Sequence, residues 1–173
     1  MTHWYILSVV GRDRPGIVSH VSAALYQGGC DLGETSMIRL GDSFTIMMMV
    51  RHDGTAKSLH QLLATVADSM GLQVHVDRLD GHLHRHVEPD VHITVYGADR
   101  PGIVAQVTGA LAEAGLNIVN LESDVGGSAE APLYIMEIDG VAGEGIEALE
   151  SALQIVVKEG VEAKLTPIDT MIG

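Results

Sequence analysis

The sequence predicts an α+β protein made of two copies of one β-α-β-β-α-β unit, each an antiparallel sheet with both helices on one face. Three observations predict it. The hexapeptide Asp-Arg-Pro-Gly-Ile-Val stands at Asp13–Val18 and recurs 86 residues on at Asp99–Val104, each time preceded at the same step by a glycine, Gly11 or Gly97. The register continues through Val21 and Val107, Ala24 and Ala110, Leu25 and Leu111, and Gly29 and Gly115. Each copy then shows the same order of strand-like and helix-like runs. A period of 86 in a chain of 173 residues exceeds the roughly 20–50 of a solenoid unit and suits a small domain with its own core. The expected division is residues 1–80, a linker at 81–89, and residues 90–173.

In the first copy, Tyr5–Val10 is a β-rich run ended by Gly11. Pro15 suits a first helical position, where its missing N–H would be unpaired in any case. Ile17, Val18, Val21, Ala24 and Leu25 then share one helical face. Gly28 and Gly29 close that helix, because glycine accepts the left-handed conformation common at helix ends. Leu32–Leu40 and Phe44–Val50 read as a hairpin about Gly41-Asp42-Ser43. A second helix places Leu59, Leu62, Leu63, Val66 and Met70 inward and stops at Gly71. Leu72–Leu79 is the last strand.

The second copy repeats the order. Val91–Tyr96 is a strand, Pro101–Ala114 a helix and Asn117–Val125 a strand. Gly126–Pro132 reads as a turn, Leu133–Ile138 as a strand, Ile146–Glu159 as a helix and Val161–Pro167 as a strand. This is the ferredoxin-like pattern. Its sheets leave one face uncovered, and an exposed apolar sheet invites aggregation. The two copies, or two chains, are therefore expected to pack together, with a homodimer as the reading for the assembly.

Composition and charge narrow the function classes. Hydrophobic residues make up 46% of the chain, yet no run approaches the roughly 20 apolar residues of a membrane span. Met-Thr-His-Trp-Tyr at the start carries no signal-peptide pattern, and Cys30 is the single cysteine, so a cytoplasmic protein without disulfides is expected. The net charge of −13 is uneven: residues 1–86 hold seven Lys/Arg against eight Asp/Glu, and residues 87–173 hold three against fifteen. With no basic stripe to displace phosphate counterions, direct nucleic-acid binding is not expected.

These residues carry a resemblance. A β-α-β-β-α-β unit with Gly-x-Asp-Arg-Pro-Gly-Ile-Val between its first strand and first helix resembles an ACT domain, a small regulatory module that often binds amino acids. Two such units without an attached enzyme resemble the glycine cleavage system transcriptional repressor family. The resemblance implies a glycine-like effector, a protein partner such as a transcription factor, no cofactor and no catalysis.

The motif has a physical use of its own. It delivers the chain to a helix N-terminus, whose unpaired amides and dipole favour an anion. A carboxylate could sit against the amides of Gly16, Ile17 and Val18, or of Gly102, Ile103 and Val104. Asp13, Asp99, Asp31 and Asn117 are candidate acceptors for an ammonium group, and Arg14 and Arg100 candidate partners for an acid. Family resemblance implies the same place, by the first loop and the start of the second strand, commonly at an interface between domains. That gives Asp13, Arg14, Pro15, Gly16, Ile17 and Asp31 in the first copy, and Asp99, Arg100, Pro101, Gly102, Ile103 and Asn117 in the second. Two departures stand out. Some ligand-binding ACT domains have Asn at the positions of Asp13 and Asp99, and His at those of Gly11 and Gly97. Asp31 stands where Asn is common, so two carboxylates would crowd the first site, and the second copy is favoured. An equally open structural role has Asp13 and Asp99 as helix caps, Pro15 and Pro101 as first-turn residues and the glycines as packing positions.

Other motifs offer less. His82, His84 and His86 could share a metal with His92, but Asp80-Gly81 and Glu88-Pro89 bracket them as a linker and no metal is expected. Met47, Met48 and Met49 read as core filling. Cys30 has no evident His partner and reads as packed. Ser19, Ser22 and Ser36 lie in no nucleophile elbow, and Glu144, Glu147 and Glu150 read as a wet helix face. A ligand-free scaffold is the alternative function, followed by a metal-binding protein or small-molecule enzyme.

Overall fold

The computed structural model describes residues 2–80, 87–98 and 100–168, which form two compact units, Met1–Arg85 and His86–Gly173. The first contains β1 (His3–Arg12), α1 (Ile17–Gln27), β2 (Asp31–Leu40), β3 (Ser43–His52), α2 (Ala56–Met70) and β4 (Gln73–Arg78). The second contains β5 (Val91–Ala98), α3 (Ile103–Glu113), β6 (Leu116–Ser128), β7 (Ala131–Ala142), α4 (Ile146–Val157) and β8 (Val161–Pro167). Each sheet is antiparallel in every pairing, in the orders β2-β3-β1-β4 and β6-β7-β5-β8. The ferredoxin-like βαββαβ expectation holds in both units.

Period-two patterning sets which face each strand buries. Tyr5, Leu7 and Val9 alternate inward from β1, and Phe44, Ile46, Met48 and Val50 from β3. They meet Ile17, Val21 and Leu25 of α1 and Leu59 and Leu63 of α2. In the second unit Val91, Ile93 and Val95 meet Val107, Leu111, Leu149 and Leu153 in the same way. Val18 departs from the expected inward face and is exposed. The buried line of α1 runs through positions 17, 21 and 25 at steps of four, and Val18 lies a full residue rotation off it.

Local chemistry fixes the ends. The chain leaves α1 in a Schellman turn, with Gly29 N–H bonded to Tyr26 O and Cys30 N–H to Leu25 O, both at 3.0 Å. Thr55, which the periodicity did not mark, caps α2 by accepting the Ser58 N–H at 3.1 Å. Segment Gly126–Pro132, expected as a turn, is mostly ladder: Gly126 pairs with Leu133, Gly127 with Pro132 and Ser128 with Ala131. Glycines weaken a strand but do not remove its backbone donors and acceptors, so the hairpin ran on. Asp90 pins the start of β5, its carboxylate accepting the Ala142 N–H at 2.9 Å.

Candidate functional site

The repeated hexapeptide forms the turn between first strand and first helix in each unit. Helix α1 starts at Ile17 with Gly16 as N-cap at φ +91°, and α3 starts at Ile103 with Gly102 at φ +86°. A left-handed backbone strains any residue with a Cβ by roughly 1–2 kcal/mol, which accounts for glycine here. Among the described residues neither helix has a side-chain cap. Pro15 and Pro101 therefore precede the cap instead of opening the helix, and the capping role considered for Asp13 is not the one it plays. Buried Ile17 and Ile103 decide where the helices begin, because each is drawn into its core at the first helical position. Two further glycines serve close packing: a Cβ on Gly11 would stand 2.7 Å from Leu72 Cδ2, and one on Gly97 3.1 Å from Val161 Cγ1.

The two loops differ in what surrounds them. The Gly16 carbonyl accepts from the His20 N–H at 2.9 Å and contacts His20 Nδ1 at 2.6 Å. Because a carbonyl only accepts, Nδ1 carries the proton in this contact. Asp13 is committed to the first unit's own hairpin: its N–H bonds Asp42 O at 2.8 Å and its carboxylate pairs with Arg39 Nε at 2.8 Å. Arg14 is exposed and makes no ion pair among the described residues. In the second unit Arg100 donates to Gln106 Oε1 at 2.8 Å and to Glu159 O at 3.4 Å, and Gln106 bonds the Glu159 carboxylate. The Ile103 N–H is turned to Arg100 O at 3.4 Å. Asp99, His82, His84 and His86 lie outside the described residues.

Asp31 and Asn117 occupy the other end of each sheet. Asp31 pairs in register with Arg51, which is opposite Trp4 at the beginning of β1, whereas the hexapeptide follows Arg12 at its end. Asn117 pairs with Val141 near the Val91 end of β5. Strands β1 and β2 run parallel through β3, so the start of β2 and the loop after β1 are separated by the length of the sheet, about 25 Å at 3.3 Å per residue. The crowding of Asp13 and Asp31 in one site is thus corrected. Asp31 is also bound to the Arg51 guanidinium, with Nε at 2.9 Å, so its charge is balanced. In each unit the helix-start loop and the start of the second strand thus lie at opposite ends of the sheet.

Cys30 does have a histidine beside it, which its 22-residue separation concealed. Its Sγ lies 3.5 Å from His52 Nδ1, and His52 Nε2 lies 2.9 Å from Ser58 Oγ. Ser58 Oγ donates to Thr55 O at 2.8 Å, so it accepts from Nε2–H, and Nδ1 accepts from the thiol. Burial first, then the Asp31 carboxylate, raise the thiol above its ordinary 9.0. A buried neutral thiol is a poor nucleophile, so this arrangement packs and does not catalyse. Alkylation of native Cys30 by iodoacetamide at pH 8 is expected to be at least about tenfold slower than in urea-unfolded protein. As pH rises, the unfolded thiol ionises before the folded one. The stability from this group is therefore whole below pH 9.0 and is lost above it, a loss that Cys30→Ala should remove from alkaline denaturation curves.

Comparison with known proteins decides the family. The ACT domain family matches residues 3–77 and again residues 91–157. The chain belongs to the ACT-domain family. ACT domains are regulatory, non-catalytic modules that generally bind small amino acids, and this chain carries two of them in tandem. This ACT pair is 25% identical over 122 residues to the glycine cleavage system transcriptional repressor of Escherichia coli K12, matching 70% of this chain and 64% of that protein. It thus spans under two thirds of the length of that relative. A crystal structure of an unknown protein from Galdieria sulphuraria matches 97% of the chain and 99% of its own, with TM-score 0.78 and 27% identity. A crystallised protein proposed to be a glycine cleavage system transcriptional repressor matches 97% of this chain and 98% of its own, with TM-score 0.70, at 21% identity. Among the described residues, no helix is long and apolar enough to cross a membrane, and no three metal-ligating side chains cluster.

Proposed function

We propose that this tandem ACT protein is an amino-acid-responsive regulator that acts through protein contacts in the cytoplasm as a homodimer. The observation that carries the reading is the paired Gly16 and Gly102 N-caps, which leave helix-start amides without a capping side chain among the described residues. A ligand carboxylate would take those amides, with Arg14 adding positive charge at the first loop. Its ammonium group would be met by the polar start of a second strand from another copy of the chain. Asn117 is the favoured residue there, because its exposed amide has no side-chain partner among the described residues while Asp31 is held by Arg51. Glycine or a similarly small amino acid suits a loop with so little side-chain volume. By likeness to the glycine cleavage repressor, the partner that reads the ligand-dependent state is a transcription factor, and the −13 net charge favours contact with that protein over contact with DNA.

The second reading is a ligand-free scaffold. It is favoured by one set of observations: Asp13, Asp31 and Arg100 are already engaged within their own units. Calorimetric titration with glycine, alanine and serine separates the two. The sensor reading expects saturable binding that Asn117→Ala weakens by about tenfold or more, the loss of a charge-assisted hydrogen bond. Absence of binding by any of the three, with the fold intact, would favour the scaffold.

A further inference from the structure

The faces that the two sheets turn away from their helices have opposite chemistry. On the first sheet this face carries Trp4, Ile6 and Val10 from β1, Met47 and Met49 from β3, and Ile38 from β2, as the alternation and the cross-strand register require. Ile38, Met47 and Val10 are 65%, 48% and 40% exposed. Ile6, Met47 and Met49 line a hollow of about 260 Å³ with Glu34 and Ser36. Around this patch Arg51 pairs with Asp31 and Arg12 with Asp42 at 3.7 Å, His75 Nε2 lies 3.0 Å from Asp77, and Glu34 beside the hollow has no ion pair among the described residues. Arg51 also lies over the Trp4 ring, 5.9 Å from its centroid. An apolar centre inside a polar rim is the anatomy of an association surface.

On the second sheet the equivalent pairs are polar. The Ile6–Met49 pair corresponds to His92–Asp139, and Ser8–Met47 to Thr94–Glu137. His92 Nδ1 and Asp139 Oδ1 lie 2.7 Å apart. Cross-strand register places Glu122, Asp124 and Glu162 on the same face. Among the described residues five carboxylates there face Lys164 as the one lysine. Covering such a surface would bury unpaired charge.

We propose that the outer face of the first sheet is a self-association surface, and that its occupant is the same face of a second copy of this chain. Charge complementarity selects that occupant. The patch is apolar at its centre and its two arginines are each paired with a carboxylate at the rim, so it fits a copy of itself about a two-fold axis, where each residue meets its own partner set. The carboxylate-rich face of the second sheet fits neither the apolar patch nor itself. Met47 and Met49 suit the contact because their unbranched side chains adapt to an opposing surface. This inference names the surface that makes the proposed homodimer and rests on that part of the functional reading.

Sedimentation equilibrium of the whole chain, with no amino acid added, tests it. The wild type is expected to sediment at twice the chain mass. Met47→Glu, which gives the first sheet the residue of the second, is expected to raise the dimer dissociation constant by more than about 100-fold. Met47→Leu and Glu137→Gln are expected to leave the dimer intact. Circular dichroism checks that each variant is folded. If Met47→Glu is not, Ser8→Glu on the same face carries the same expectation. A monomeric wild type overturns the proposal. So does a dimer that persists in folded Met47→Glu or Ser8→Glu, or one that dissociates in Glu137→Gln. Because no ligand is present, a failure here leaves the titration result for amino-acid sensing untouched.

Discussion

Leu7→Ala is expected to destabilise the first unit by about 2–5 kcal/mol, the usual cost of a cavity at a fully buried leucine. Leu7 has no exposed surface and stands at the middle of β1, with β3 on one side and β4 on the other. It belongs to a core that draws every member from the first unit, whereas Ile93, its counterpart, belongs to the other core. Hydrogen exchange should therefore report the loss locally. Amides of β1 and β3 are expected to lose protection in Leu7→Ala while those of β5 and β7 keep theirs, and Ile93→Ala should show the reverse. Equal loss in both units from either variant would contradict the two-core account.

Gly16→Ala is expected to cost more than Gly102→Ala, although the two glycines hold the same place in the same motif. Both backbones are left-handed, at +91° and +86°, and each substitution incurs roughly 1–2 kcal/mol of strain. Their surroundings differ. A Cβ on Gly16 would lie 3.1 Å from His20 Nδ1, tighter than ordinary contact and against the ring that bonds the Gly16 carbonyl. Nothing stands within 4 Å of a Cβ on Gly102. Urea denaturation of both variants checks the order. Equal costs, or a larger cost at Gly102, would show that His20 yields freely and that backbone strain alone decides.

Repetition and period made the fold legible. Eighty-six-residue register and alternation of apolar side chains are properties of the chain, and the strands and helices followed them in both units. Ends were less legible, because they depend on single hydrogen bonds. Pro15 looked like a helix opener until the burial of Ile17 moved the start two residues on, and Thr55 capped α2 without any mark in the hydrophobic pattern. The candidate loops could be found by their glycines, but the distribution of their side chains could not. The pair Asp13–Arg39 joins the loop after β1 to β2, the pair Asp31–Arg51 joins β2 to β3, and only the strand pairing reveals them. The same holds for Cys30 and His52, brought together by the end of β3 and the exit of α1. Sheet pairing also separates the loop from the strand start within a unit, which no local reading of the motif could show.

Thermal unfolding in the presence of each common amino acid at millimolar concentration tests the central claim most directly. Binding to the folded state alone raises stability by RT ln(1 + L/Kd), with L the free ligand concentration, about 2.7 kcal/mol at 100 times the dissociation constant. The account predicts a clear upward shift with glycine or another small amino acid, reduced in Gly16→Ala, Gly102→Ala or Asn117→Ala. An unchanged midpoint with every amino acid, in protein that is folded throughout, would contradict it.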